Sequence, residues 1–265
     1  MLDLEERGDI TIVRLAHGKV NALDVELLQA IAKAFGSLER GRTVVFTGAG
    51  RSFSAGVDLN RIVDGGLEYV QVFRPALSAA VKAVFYHSGP VVAAVNGHAI
   101  AGGCVLAAAC DIRLMSGGTI GLSEMRVGVP FPGVPLEVMR HALGPAVRRF
   151  VLTAQLLSPL DALSAGLIDQ VTEPEALLEA ALAEAERLAR ISPEVYEFTK
   201  RQLQGPARER IDGLRQSDDE ASTSMWASPA VQEAISGFMG GLKQQSRLLE
   251  SNIAVSPRTN SNGGQ

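Results

Sequence analysis

The chain of 265 residues carries a net charge of −4, and 46% of it is apolar. That is enough for a sizeable core in one large domain, or in one domain with an appendage. No basic run or stripe occurs, which argues against nucleic acid and anionic membrane surfaces as partners. The two cysteines, Cys104 and Cys110, point in different directions if their segment is helical. A disulfide is therefore not expected, and a reducing cytoplasm fits. The four histidines show no paired spacing, so no metal site is expected.

The N-terminus, MLDLEERGDI, is acidic and poor in apolar residues, unlike a signal or transit peptide. LDLEERGDITIVRLA alternates around Gly8-Asp9 and predicts a hairpin. Asp24 precedes a helical apolar spacing and is a candidate N-cap. TVVFTGAG predicts a buried strand ending in a glycine turn, and Leu67 to Tyr86 a helix. From Gly89 to Cys110 there is no charged residue, a length that would suit a membrane span. Pro90, Asn96 and His98 divide it into a buried strand, PVVAAVN, and a buried helix, AGGCVLAAAC. DIRLMS and TIGL predict short extended pieces. Pro135 to Leu143 and Ala146 to Leu152 predict helices. Ser158 can cap a further helix ending at Ser164, before an extended LIDQV. Beyond Val171 the pattern is helical to about Leu249. The tail from Ser251 lacks apolar periodicity and is expected to be mobile. Strands alternating with helices, then helices alone, describe an α/β core with a helical C-terminal extension. No fixed-period repeat is evident.

Three strand-to-loop junctions carry residues suited to chemistry. In FTGAGRSFSAGVDL, small residues would let a ligand reach backbone N–H groups. Neither GxGxxG nor GK[ST] is present, and an ordinary surface turn explains the composition equally well. In AIAGGCV, Gly102 and Gly103 either open a helix N-terminus to a developing oxyanion or allow close packing against a neighbouring strand. In TIGLSEMRVGVPFPG, Glu124 is either a base in apolar surroundings or a solvated loop residue paired to Arg126.

Together these segments resemble the crotonase, or enoyl-CoA hydratase/isomerase, superfamily. The matching pieces are NALD (21–24), FSAGVDL (53–59), VVAAVNGHAIAGGCVLAAACDIRLM (91–115), TIGLSEMRVGV (119–129) and SPLDALSAGLIDQV (158–171), in family order. The resemblance implies an α/β spiral of ββα turns over residues 1–190. A helical oligomerisation region at 191–250 and a flexible tail at 251–265 would follow. It implies a homotrimer or a dimer of trimers acting on an acyl-CoA thioester. By resemblance, the N–H groups of Ala55 and Gly102 form the oxyanion hole and Glu124 is the catalytic acid/base. Val20, Ala22, Leu23, Ser54, Gly56, Val57, Asp58, Leu59, Gly103 and Val105 are the expected substrate and CoA contacts. Lys19, Lys200 and Arg201 are candidates for the phosphates.

Hydratases of this family carry two glutamates that activate water. Val105 stands where one of them would be, and valine holds neither proton nor water. A single glutamate after an apolar GGC neighbour is similar to the delta-3,delta-2-enoyl-CoA isomerases. The expected reaction is a shift of the double bond from the 3- to the 2-position. No metal or cofactor is implied, coenzyme A being part of the substrate. The alternatives are a hydratase in which an acid elsewhere, Glu137 or Asp64, replaces the missing one, another crotonase-type lyase or hydrolase using Glu124 differently at the same oxyanion hole, and a catalytically weak acyl-CoA-binding protein.

Overall fold

Residues 1–214 and 216–254 are described by the structure, a computed structural model. Strands β1 (Leu2–Arg7) and β2 (Ile10–Leu15) form the antiparallel hairpin around Gly8-Asp9. Helix α1 (Val25–Ser37) begins where the Asp24 carboxylate accepts the Leu27 N–H at 2.8 Å. This satisfies one of the orphan donors of its first turn.

The chain then repeats one unit three times. Strand β3 (Thr43–Gly48) leads to β4 (Ser52–Ser54) and α2 (Leu59–Phe85). Strand β5 (Val91–Val95) leads to β6 (His98–Ile100) and α3 (Gly102–Ala108). Strand β7 (Ile112–Met115) leads to β8 (Ile120–Gly121) and α4 (Glu124–Val127). These are the ββα turns of the spiral. Their helices have 27, 7 and 4 residues, so equivalent strands do not recur at a constant interval. That is why no period is visible in the sequence.

Each turn places its first strand in one sheet and its second in another. Strands β9 (Leu156–Leu157) and β10 (Gln170–Val171) complete them. The six-stranded sheet has the order β1-β2-β3-β5-β7-β10 and is parallel except at β1. The four-stranded sheet has the order β4-β6-β8-β9, with β4, β6 and β8 parallel.

Helix α5 (Gly133–Leu143) packs on α2 and α3, α6 (Val147–Leu152) on α4 and α5, and α7 (Pro159–Ser164) on β9 and β10, Ser158 capping α7 by accepting from the Asp161 N–H. Helix α8 (Leu177–Ala189) covers one face of the larger sheet. Residues alternate across that sheet as the pleat requires. Ile12, Val45 and Val92 meet Leu177, Ala181 and Ala185, while Val13, Phe46 and Ala93 join the main core. Burial on both faces explains the continuous apolar runs. The uncharged stretch from Gly89 divides into β5, β6 and α3. Among the described residues no helix is long and apolar enough to cross a membrane.

Among the described residues, three helices follow: α9 (Pro193–Asp212), α10 (Gln216–Trp226) and α11 (Pro229–Ala254). The tail expected to be mobile from residue 251 begins within α11. Its remainder, 255–265, lies outside the described residues. Helices α10 and α11 fold back onto this chain's own α2, and α11 also meets α4.

Candidate active site

The three junctions singled out in the sequence come together. Strands β4, β6 and β8 are parallel neighbours, so their carboxyl ends lie side by side. Each hands over there to the segment that carries the small residues or Glu124. Ligand sites of open α/β sheets form at such ends. A cleft of about 720 Å³ opens at this place, with Val20, Ala22 and Ala55–Asn60 along one side. Ile100, Ala101, Ser123 and Glu124 line it further in.

At the first junction, the NALD and SAGVD segments bind each other through their backbones. The Leu23 N–H donates to Gly56 O at 2.7 Å, and the Asp58 N–H donates to Leu23 O at 3.0 Å. Buried Asn21 has φ +52, in the left-handed region that asparagine tolerates better than most residues. Its amide donates to the carbonyls of Ala49, Ser52 and Phe53. Ser54 Oγ donates to Asn21 O at 2.7 Å.

One expectation is overturned here. The Ala55 N–H is bonded to Val20 O at 2.9 Å, so it has no hydrogen left for an oxyanion. Two residues further on, the Val57 N–H has no acceptor among the described residues, and Val57 lines the cleft.

At the second junction, Ala101 joins β6 to α3 with φ 51 and ψ −119. A non-glycine residue in this conformation stores strain of order 1–3 kcal/mol. The first donor to close the helix is Val105 N–H, onto Ala101 O at 3.0 Å. The amides of Gly102, Gly103 and Cys104 precede it and have no intrahelical acceptor. The two glycines also answer a packing demand. A Cβ on Gly103 would stand 2.4 Å from the Ser54 carbonyl oxygen, and one on Gly102 would stand 2.7 Å from Leu23 Cδ1. The first is a backbone clash, so close packing against β4 accounts for Gly103.

Glu124 opens α4 and is only 7% exposed. Burial pushes its carboxyl up to about 7, against the opposing pull of its own backbone N–H and that of Ser123. The Ser123 N–H donates to Oε2 at 2.9 Å. The pairing with Arg126 is not formed: that guanidinium donates to Ala154 O at 3.1 Å. Asp58 also lines the cleft, but its carboxylate caps α2 by accepting from the Asn60 and Arg61 N–H groups. Glu137 and Asp64 do not line it. Glu137 is ion-paired to Arg210 and Arg140.

Several other expected contacts also fall outside the cleft lining: Leu23, Ser54, Gly102, Gly103 and Val105. All five are buried; Leu23 and Ser54 brace the turn, and Val105 packs in the core. Lys200 is not available to a phosphate. It is buried, bonded to Asp111 at 2.8 Å and Gly89 O at 3.0 Å. Lys19 and Arg201 do not line the cleft either.

The roof went unread in the sequence. Trp226, at the end of α10, and Phe238, Met239 and Leu242 on α11 complete the cleft of their own chain. The sole tryptophan and the SGFMGGL segment were the available signals.

Comparison with known proteins agrees with this architecture. A family profile for enoyl-CoA hydratase/isomerase matches residues 5–246. A putative enoyl-CoA hydratase of Thermus thermophilus is 33% identical, over 79% of this chain and 87% of that protein. A Mycobacterium tuberculosis protein, described in one structure as an enoyl-CoA isomerase and in another as a probable enoyl-CoA hydratase, superposes in the first with a TM-score of 0.73 at 29% identity, covering 80% of this chain and 96% of that one. Human mitochondrial delta3-delta2-enoyl-CoA isomerase shares the fold, with a TM-score of 0.86 at 24% identity over 92% and 98% of the two chains. The chain belongs to the enoyl-CoA hydratase/isomerase family.

Proposed function

We propose that this protein moves the double bond of a 3-enoyl-CoA to the 2-position, with Glu124 as the only proton carrier. The supporting observation is the composition of the cleft. Glu124 is buried in it and has no cation partner among the described residues, while the other lining carboxylate, Asp58, is committed to capping α2. A base held near pH 7 suits proton transfer at neutral pH.

In the proposed sequence, ionised Glu124 takes the proton from the α carbon of the thioester. The electron pair left behind delocalises into the thioester carbonyl and the alkene. The backbone N–H of Val57, which lines the cleft, receives the charge on oxygen together with that of Gly102, a free first-turn amide of α3 directly after the lining residue Ala101. Such a donor typically contributes about 3 kcal/mol in the transition state. The protonated Glu124 then returns the proton to the γ carbon, giving the conjugated 2-enoyl thioester. Proton and electrons balance without a further reactant, and coenzyme A is part of the substrate. Hydration would need a second group to hold water, and Val105 stands where the family places one. The buried free thiols of Cys104 and Cys110 fit a reducing cytoplasm. Assembly as a trimer or a dimer of trimers follows from the family resemblance and is checked by analytical ultracentrifugation.

The test is a paired turnover assay, repeated with Glu124→Gln. One arm offers a 3-enoyl-CoA and follows the conjugated thioester. The other offers a 2-enoyl-CoA and follows its hydration. Isomerisation lost in the variant, with negligible hydration, supports the reading. Robust hydration overturns it in favour of a hydratase whose water is held elsewhere. Tight acyl-CoA binding with silence in both arms favours a binding protein.

A further inference from the structure

The cleft has a direction. Val20, Ala55, Asn60 and Leu242 are exposed and mark its mouth, whereas Gly56, Ala101, Glu124, Val127, Val129 and Trp226 are buried. Trp226 has the largest side chain of that closed end and is 1% exposed. Its indole is also held in place. Nε1–H donates to Pro130 O at 2.9 Å, in the loop that follows the Glu124 helix. Its ring lies 6.3 Å from that of buried Phe73 on α2, and Gln232 Nε2 donates to its carbonyl at 2.9 Å.

We propose that Trp226 is the specificity-determining end wall of the cleft, limiting the length of a linear, apolar acyl group whose thioester lies beside Glu124. This rests on the reading of the cleft as an acyl-CoA site. Three observations carry it. The side chain lines the cleft and is the bulkiest of its buried lining residues. Its only polar atom is already bonded to Pro130, so it presents hydrocarbon to an occupant. Its neighbours on that wall, Val127 and Val129, are apolar and 4% exposed. The one cation lining the cleft among the described residues, Arg126, is exposed and bonded to Ala154 O. A charged acyl terminus therefore finds no partner at the closed end, where burying an unpaired charge is strongly unfavourable.

Calorimetric binding of saturated, unreactive acyl-CoAs tests this without relying on isomerisation. Butanoyl-, octanoyl- and hexadecanoyl-CoA are titrated into the wild type, Trp226→Phe and Trp226→Ala. Circular dichroism and thermal melts establish which variants fold. Shortening the wall should raise the ratio of long- to short-chain affinity by about tenfold or more in Trp226→Ala. The shift should be smaller but in the same direction in Trp226→Phe, which keeps a ring and is the fallback if alanine does not fold. Turnover of a 3-enoyl series should shift the same way. An ω-carboxylated acyl-CoA should bind the wild type at least about tenfold more weakly than the neutral analogue of equal length.

A merely structural role would lower affinity by the same factor at every length. That outcome, or an unchanged length profile, overturns the end-wall assignment while leaving the acyl-CoA reading intact. Equal affinity for the ω-carboxylated ligand overturns the apolar end. Wild type that binds none of the thioesters overturns the acyl-CoA reading, and this assignment with it.

Discussion

Glu124 and Glu137 are the same residue type, on helices of the same core, and they are 7% and 6% exposed. Glu137 is met by Arg210 and, one turn along its own helix, by Arg140 at 3.5 Å. Glu124 faces a cleft, receives the Ser123 N–H, and has no ion-pair partner among the described residues, Arg126 of the same cleft being bonded to Ala154 O. The residue one turn after it, at the spacing that supplies Arg140 to Glu137, is Val127. Burial alone therefore does not make a proton carrier in this protein. Burial without a counter-charge is what fits Glu124 to the proposed role, because desolvation raises its carboxyl to about 7, where it could both take and return a proton.

The largest effect should come from removing the unpaired acid. Glu124→Gln should lower kcat for isomerisation by about a thousandfold, the usual scale of a lost general base. In the wild type, activity should rise with pH through about 7 and level off above it, because the base must be ionised. A flat profile from pH 5 to 9 would show that Glu124 is not the group that titrates.

The same substitution carries an effect on stability. The carboxyl is held at about 7 in the fold against an ordinary 4.5, so ionising it in place costs on the order of 3 kcal/mol. Below about pH 4.5 both folded and unfolded states hold the proton. Between 4.5 and 7 the unfolded state releases it first, so this group's contribution to stability falls as pH rises. Glutamine has no such dependence. Glu124→Gln should therefore be more stable than the wild type above pH 7, by up to about 3 kcal/mol, and its advantage should vanish near pH 4. Chemical denaturation at the two pH values measures this. Equal stability at both would mean that the buried charge is relieved by a partner.

The contrast between these glutamates was half legible in the sequence. Glu124 stood out because TIGL and VGVP flank it with apolar residues, and the hairpin, α1 and the buried strands followed from period and capping. What escaped depended on tertiary placement. Strands β4, β6 and β9 have three, three and two residues, too few to show alternation. They nevertheless decide which turns become neighbours. The oxyanion donor was placed on Ala55 by resemblance alone, whereas the choice between Ala55 and Val57 turns on which N–H the Val20 carbonyl takes. The roof was hidden for a different reason. An amphipathic helix announces that it packs, but not against what, so the small and apolar residues of SGFMGGL signal a packed face without saying that it faces the cleft.

Giving Glu124 the partner that Glu137 has would sharpen the comparison directly. Arginine at position 127 would stand one turn along, as Arg140 does, and at this buried lining position its side chain would have to extend into the cleft beside Glu124. Val127→Arg should lower the pH midpoint of activity by about one unit or more, since an adjacent guanidinium favours the carboxylate. It should also lower kcat above neutral pH, because a stabilised carboxylate is a weaker base. An unmoved midpoint would mean that the new cation lies in solvent.

The smallest effect is expected from the paired acid, and it runs in the opposite sense. Glu137→Gln leaves Arg210 and Arg140 without their carboxylate, but both guanidinium groups are nearly half exposed. Water therefore replaces much of the lost interaction, and the cost should be only about 1 kcal/mol. No residue of that pair lines the cleft, so kcat and its pH midpoint should stay at the wild-type values. Thermal melts and a pH–rate profile on one preparation read both quantities. A kcat that fell with Glu137→Gln while the melting temperature held would break the comparison. It would place Glu137 in the reaction as the second acid and return hydration to the foreground.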